Sequence, residues 1–128
     1  MSYHFSKTLD VPFDEAVERA TAVLKDNGFG VLTTIDVKAT LKKKLDADFR
    51  NYTILGACNP GYAFEALKAE PHIGTMLPCN VIVQDHGDGK VEISAVDPMA
   101  SMQAVENAGL GAIAGDVQDL LKKVIADI

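Results

Sequence analysis

Two stretches of the chain repeat apolar residues at the spacing of an α-helix. The first runs from Phe13 to Leu24 on one stripe, and Asn27-Gly28 supplies a stop signal, which predicts a helix over 12–27. The second lies near the C-terminus and consists of Val117, Leu120, Leu121, Val124 and Ile125. Both predict amphipathic helices that bury one side. Residues 99–115 are small and weakly patterned, and they predict only a short helix around 99–107.

Two shorter helices are predicted between strands. Over 37–45, Asp36 is a suitable N-cap and the lysines face water. The apolar residues of that segment are expected to form a buried line, and they are Val37, Leu41 and Leu45. Over 60–70, an Asn-Pro pair begins a helix that must end before Pro71.

Five segments have the composition and patterning of β-strands: 3–9, 31–36, 51–58, 79–85 and 90–96. The first is expected at an edge of the sheet, and the third is apolar on both faces, which predicts a central strand. The second is expected to place Val31, Thr33 and Ile35 on one face. A Gly- and Asp-rich turn joins the last two segments and predicts a β-hairpin.

These elements predict an α+β fold in a single domain of residues 1–128. The order is β-α-β-α-β-α-β-β-α, which indicates one sheet with helices on a face. A wholly parallel, doubly wound sheet is the alternative, but the hairpin requires an antiparallel pair. No glycine-rich phosphate fingerprint follows any strand.

The net charge and the N-terminal sequence exclude some classes of partner from the expected functions. The chain of 128 residues has 12 basic and 18 acidic side chains, a formal net charge of −6. Its only dense basic run, Lys42-Lys43-Lys44, spreads over the solvated side of a helix, so no nucleic-acid partner is expected. The N-terminus is polar, and no apolar run approaches the roughly 18 residues of a membrane span. We therefore expect a cytoplasmic protein with no membrane partner.

The most informative stretch is 54–83, which holds both cysteines, each followed by asparagine: Cys58-Asn59 and Cys79-Asn80. Cys58 lies between a strand and a helix N-terminus, where unpaired N–H groups lower the pKa of a thiol. That position suits a reactive or ligating cysteine, and it also suits a small buried residue beneath the helix. If the two strands are antiparallel neighbours, both Cys-Asn pairs meet at one end of the sheet.

A metal site has weaker support. Cys58, Cys79 and His72 are the candidate ligands, but a closed zinc site needs four ligands at short paired spacings and no Cys-x-x-Cys is present. His72 is expected first as a surface loop residue. The chain has no Gly-x-Ser-x-Gly elbow, His-Glu-x-x-His motif or P-loop. The sequence leaves open whether the protein is an enzyme, and it identifies no cofactor.

Several segments resemble the bacterial and archaeal domain-of-unknown-function family 302. The most specific are YTILGACNP at 52–60, PCNV at 78–81 and SAVDP at 94–98, and the resemblance covers nearly the whole chain. It implies a fold of the TATA-box-binding-protein-like type, a curved, mainly antiparallel sheet packed by helices, and a homodimer. The family brings no settled activity, and the fold analogy brings no DNA binding.

Three functional hypotheses follow. The leading one is a cytoplasmic homodimeric binding protein whose cleft, near Cys58, Asn59, Cys79 and Asn80, holds a small molecule, a soft metal or haem. The second is a thiol-based redox enzyme or sulfur carrier, with Cys58 as nucleophile and Cys79 as resolving partner. The third is a structural or interaction module in which both thiols only pack. An unpaired edge, or the fifth strand, is expected to seek the second copy.

Overall fold

The computed structural model describes residues 2–128 and confirms the α+β fold. Five strands and five α-helices follow one another in the chain, together with a 3₁₀ helix, Pro71–Met76, before the fourth strand. They are β1 (His4–Leu9), α1 (Phe13–Asp26), β2 (Gly30–Asp36), α2 (Val37–Leu45), β3 (Tyr52–Cys58), α3 (Pro60–Ala69), β4 (Cys79–Asp85), β5 (Val91–Val96), α4 (Pro98–Ser101) and α5 (Ala108–Asp127).

The strands form one open sheet in the order β1-β5-β4-β3-β2, and every neighbouring pair is antiparallel. The predicted hairpin joins β4 to β5, β1 is an edge as expected, and β3 is an interior strand. The expectation that the fifth strand seeks a partner is wrong, because β5 lies between β1 and β4. The free edges belong to β1 and β2.

The hydrophobic core lies between one face of the sheet and the helices α1 and α5. Inward side chains alternate along the central strands, as the burial of Leu55 and Ala57 on β3 and of Val81 and Val83 on β4 illustrates. Leu24 of α1 and Leu121 of α5 close this core from the other side. The opposite face carries the strand residues that point away from the core, and we call it the open face.

A β-bulge corrects the expected pattern of β2. Val31 pairs with Ala57, but Thr33 pairs with Gly56, so the register shifts by one residue at Leu32. Val31 therefore packs against the core while Thr33 points to the open face, and the two do not share a face as predicted. The extra residue, Leu32, is 68% exposed.

The predicted buried line of α2 is also wrong. None of the residues 37–45 is buried, and Leu45 is 70% exposed. The helix begins as expected, since the carboxylate of Asp36 accepts a hydrogen bond from the Ala39 N–H at 2.9 Å. Its main contacts are with β2 and β3 at one margin of the sheet, and these contacts leave its apolar side partly exposed.

Helix α5 begins nine residues before the apolar pattern that predicted it. Asn107 caps it through a 2.9 Å bond from the Gly109 N–H, and the Asn107 amide also donates to the Ala69 carbonyl at 2.7 Å. The first turns of α5 contain small residues, which obscured the pattern. These residues allow α5 to lie close to α3: a Cβ added to Gly109 would lie only 3.7 Å from the Cβ of Ala69. Across residues 2–128, no helix combines the length and apolarity needed to cross a membrane.

Candidate functional site

Antiparallel pairing of β3 with β4 brings the two Cys-Asn pairs to one end of the sheet. In the register, Ala57 lies opposite Cys79 and Gly56 lies opposite Asn80. The end of β3 and the start of β4 are therefore neighbours, which is the arrangement that the site hypothesis requires.

The two thiols nevertheless lie on opposite faces of the sheet. Cys79 shares the inward face with its partner Ala57 and packs against the core. Cys58 is the next residue after Ala57, and strand alternation turns it to the open face. Both cysteines are free thiols. Because a disulfide needs Cβ atoms that point toward each other, this register does not favour a bond between Cys58 and Cys79.

Cys79 lies in a small apolar cavity beneath α3 and α5. Burial raises the pKa of its thiol to about 11, and the nearby Cys58 thiolate adds a smaller effect in the same direction. The cavity of about 30 Å³ suits one or two water-sized groups and is far too small for haem. Its lining includes Tyr62, Ala66, Leu77, Met102 and Val117.

Asn59 has a structural task at the start of α3. Its side-chain oxygen accepts a hydrogen bond from the Tyr62 N–H at 3.4 Å, which is the N-cap predicted from the Asn59-Pro60 pair. The amide nitrogen of Asn59 comes close to Gly28, where a Cβ would lie 3.1 Å from it. Asn59 thus caps α3 and lies beside the turn that precedes β2.

His72 is separated from both cysteines. It lies in the 3₁₀ helix with 92% of its side chain exposed, and its ring pairs with Glu70 at 3.4 Å. The backbone N–H of His72 donates to the same carboxylate at 3.2 Å and lowers the pKa of Glu70. Within residues 2–128, no three His, Cys, Asp or Glu side chains are grouped so as to hold a metal ion. Cys58, Cys79 and His72 are therefore not assembled into one ligand set.

Asn80 belongs to a groove along the open face. The groove has a volume of about 410 Å³ and crosses the central strands, with Ile82 and Tyr52 as apolar floor. Ser94 lies beside them and shares a 2.7 Å hydrogen bond with Ser6 on the edge strand. The remaining groups that line it are Tyr3, His4, Arg50, Gln84, Glu92, Ala95 and Val96.

A chain of polar contacts connects three of the groups that line this groove, Arg50, Gln84 and Glu92. The Arg50 Nε donates to the side-chain oxygen Oε1 of Gln84 at 3.1 Å, and the side-chain Nε2 of Gln84 donates to the Glu92 carboxylate at 3.2 Å. The ring of His86 contacts the same Glu92 oxygen at 3.1 Å. Sequence reasoning missed these residues, although Gln84 and Glu92 occupy positions of β4 and β5 that alternate away from the core.

The fold and the groove define a small α+β protein with one helix-covered and one open sheet face. Residues 5–128 match the model of the family described as domain of unknown function DUF302, and the chain belongs to that family. The chain is similar to the crystal structure of an uncharacterized conserved DUF302 protein from Bacillus stearothermophilus, with a TM-score of 0.90 and 28% sequence identity. The similarity covers 99% of this chain and 98% of that chain. A comparison with curated proteins gives no match.

Proposed function

We propose that the protein is a homodimeric binding protein of the cytoplasm that holds a small organic molecule in the groove on its open face. The groove itself is the observation that carries this proposal. Its volume of about 410 Å³ falls in the range of small-molecule sites, roughly 300–1,000 Å³. It also combines an apolar floor with a few converging polar groups, which is the usual composition of such sites.

The four residues singled out in the sequence take different parts in this proposal. Asn80 contacts the ligand, because its side chain lines the groove. Cys58 lies farther along the same face, on the other side of Gly56 from the groove floor. Asn59 and Cys79 act indirectly, since the first caps α3 and the second packs beneath it.

Haem, a soft metal and thiol chemistry receive less support. The cavity at Cys79 is too small for haem, and the candidate metal ligands are dispersed. A nucleophile and its resolving thiol would have to meet on one face of the sheet, but alternation separates Cys58 from Cys79. The raised pKa of Cys79 keeps that thiol protonated at neutral pH, as expected of a packing residue.

The homodimer is supported by an apolar margin at the β2 edge. Leu32 and Ile35 of β2 are 68% and 46% exposed, and Leu45 of the adjoining α2 is 70% exposed. Contiguous exposed apolar side chains on a small protein are typical of an interaction surface. A second copy would cover them.

Binding of the neutral fluorescent probe N-phenyl-1-naphthylamine tests the groove. The native protein should enhance its fluorescence, and Ile82→Glu should weaken binding at least about tenfold because it places a charge in the apolar floor. Phe64→Glu is the matched control, since Phe64 is exposed on α3, outside the groove. Circular dichroism checks that both variants are folded. Equal binding by the native protein and the folded Ile82→Glu variant would refute the proposal.

A further inference from the structure

We infer that the molecule held in the groove is an organic anion, with an apolar body on Ile82 and Tyr52 and an oxyanion at Arg50. This inference rests on the proposed function and specifies the class of ligand. It is carried by the way in which Arg50 is held and by the charges around it.

Arg50 is oriented by neutral groups. Its guanidinium carbon lies 4.4 Å from the ring centroid of Phe49 and 5.7 Å from that of Tyr52, and its Nε donates to Gln84. These three contacts use the ring faces and one N–H of the guanidinium. The terminal NH₂ groups, which form the fork that binds carboxylate or phosphate oxygens, are left for another partner.

The contrast with the other arginine is informative. Arg19 pairs with Glu15 at 3.3 Å on the surface of α1. Arg50 forms no salt bridge within residues 2–128, although the chain has 18 acidic side chains against 12 basic ones. An arginine that is held in place without a carboxylate, beside a groove, is well suited to bind an oxyanion of a ligand.

The groups around Arg50 include a second positive side chain, and the nearby carboxylates accept hydrogen bonds from donors other than Arg50. A second cleft of about 470 Å³ adjoins Arg50 and is also lined by Lys38, Asn51 and His86. The two carboxylates nearby are already engaged. Asp85 accepts a 2.8 Å bond from the Gly87 N–H in the hairpin turn, and Glu92 accepts from Gln84, which separates it from Arg50. The oxyanion would therefore meet Arg50 first, with Lys38 next to it.

Two dyes of nearly identical shape distinguish the contribution of the negative charge to binding from that of the apolar body. 1-Anilinonaphthalene-8-sulfonate is N-phenyl-1-naphthylamine with an added sulfonate, so the ratio of their dissociation constants isolates the effect of the charge. The native protein should prefer the anionic dye about tenfold or more, because charged hydrogen bonds to arginine contribute on that scale. Arg50→Gln should bring the ratio of the two dissociation constants to about one, whereas the control Arg19→Gln should keep the native ratio.

Each outcome has a separate meaning. Equal affinity for the two dyes, or a preference that survives Arg50→Gln, overturns the inference and leaves the groove as a site for neutral molecules. If neither dye responds to Ile82→Glu, the proposed function fails together with the inference. In a separate experiment on the native protein, octanoate and octyl phosphate are compared as competitors of the anionic dye. The tighter competitor identifies the oxyanion, and failure of both to compete also contradicts the inference.

Discussion

At the scale of single residues, the two cysteines show how little a shared motif says about chemistry. Both precede an asparagine, but Cys79 points into the core and Cys58 points to the open face. Desolvation penalises the thiolate of Cys79 and raises its pKa to about 11. Because the folded state then holds the proton more tightly than the unfolded state, this thiol lowers the stability of the protein as the pH rises from about 9 toward 11.

Alkylation rates test this difference. At pH 8, a pKa of about 11 leaves roughly one Cys79 thiol in a thousand ionised, against about one in ten for a thiol with the ordinary pKa of 9.0. The Cys58→Ser variant, which retains Cys79, should react with iodoacetamide roughly 100-fold more slowly when native than when unfolded in guanidinium chloride. The Cys79→Ser variant is the matched control and should react faster, since Cys58 lies outside the core. Equal alkylation rates for the native and unfolded Cys58→Ser variant would contradict the burial of Cys79 in the core.

At the scale of elements, the site end of the sheet depends on a close approach of three segments. Gly56 in the middle of β3 faces Thr33 of β2 on one side and Pro78, just before β4, on the other. A Cβ at Gly56 would collide with the Thr33 hydroxyl and would lie 2.8 Å from the Pro78 ring. The bulge at Leu32 is what turns Thr33 toward this point.

Gly56→Ala should therefore lower the free energy of unfolding by about 1–3 kcal/mol, the usual cost of overpacking. Denaturant unfolding measures the change. Gly30→Ala on the neighbouring strand is the matched control, because a Cβ there has nothing within 4 Å, and it should change stability by less than about 0.5 kcal/mol. The double variant Gly56→Ala with Thr33→Ala should recover part of the loss. A Gly56→Ala protein as stable as the native one would rule out the close approach.

Elements that were predicted correctly are those whose signals are local. The N-caps Asp36 and Asn59 began helices where expected, and the turn at 86–89 identified the hairpin. The bulge at Leu32 could not be predicted, because it appears only when β2 is paired with β3. The start of α5 was missed because Gly and Ala residues that fit against α3 carry no hydrophobic periodicity of their own.

The meeting of the two Cys-Asn pairs at one end of the sheet was predicted, but the groove on the open face was not. Sequence reasoning brought Cys58 and Cys79 to one end of the sheet through antiparallel pairing, and the register confirms it. It could not assign their faces, because a one-residue offset between strands reverses every side chain. Arg50 was missed because its partners, Tyr52 and Gln84, meet only across two strands.

At the scale of the whole molecule, the protein has two exposed regions for which we propose different roles. The open face holds the groove, while the margin formed by β2 and α2 exposes Leu32, Ile35 and Leu45. The bulge at Leu32 interrupts the outer edge of β2, which disfavours a continuous main-chain ladder with another sheet. A second copy would therefore associate through these apolar side chains and leave the groove accessible.

Light scattering at micromolar concentration tests this association. The native protein should have twice the mass of one chain, and Leu32→Arg combined with Ile35→Arg should reduce it to the mass of one chain, because like charges would face each other across the contact. Phe64→Arg is the matched control: Phe64 is 62% exposed on α3, away from the margin, and its replacement should leave the dimer intact. Dye binding in the groove should survive in the monomeric variant, since its lining includes neither residue. A native protein of single-chain mass would exclude the homodimer, and dissociation by Phe64→Arg alone would move the contact from β2 to α3.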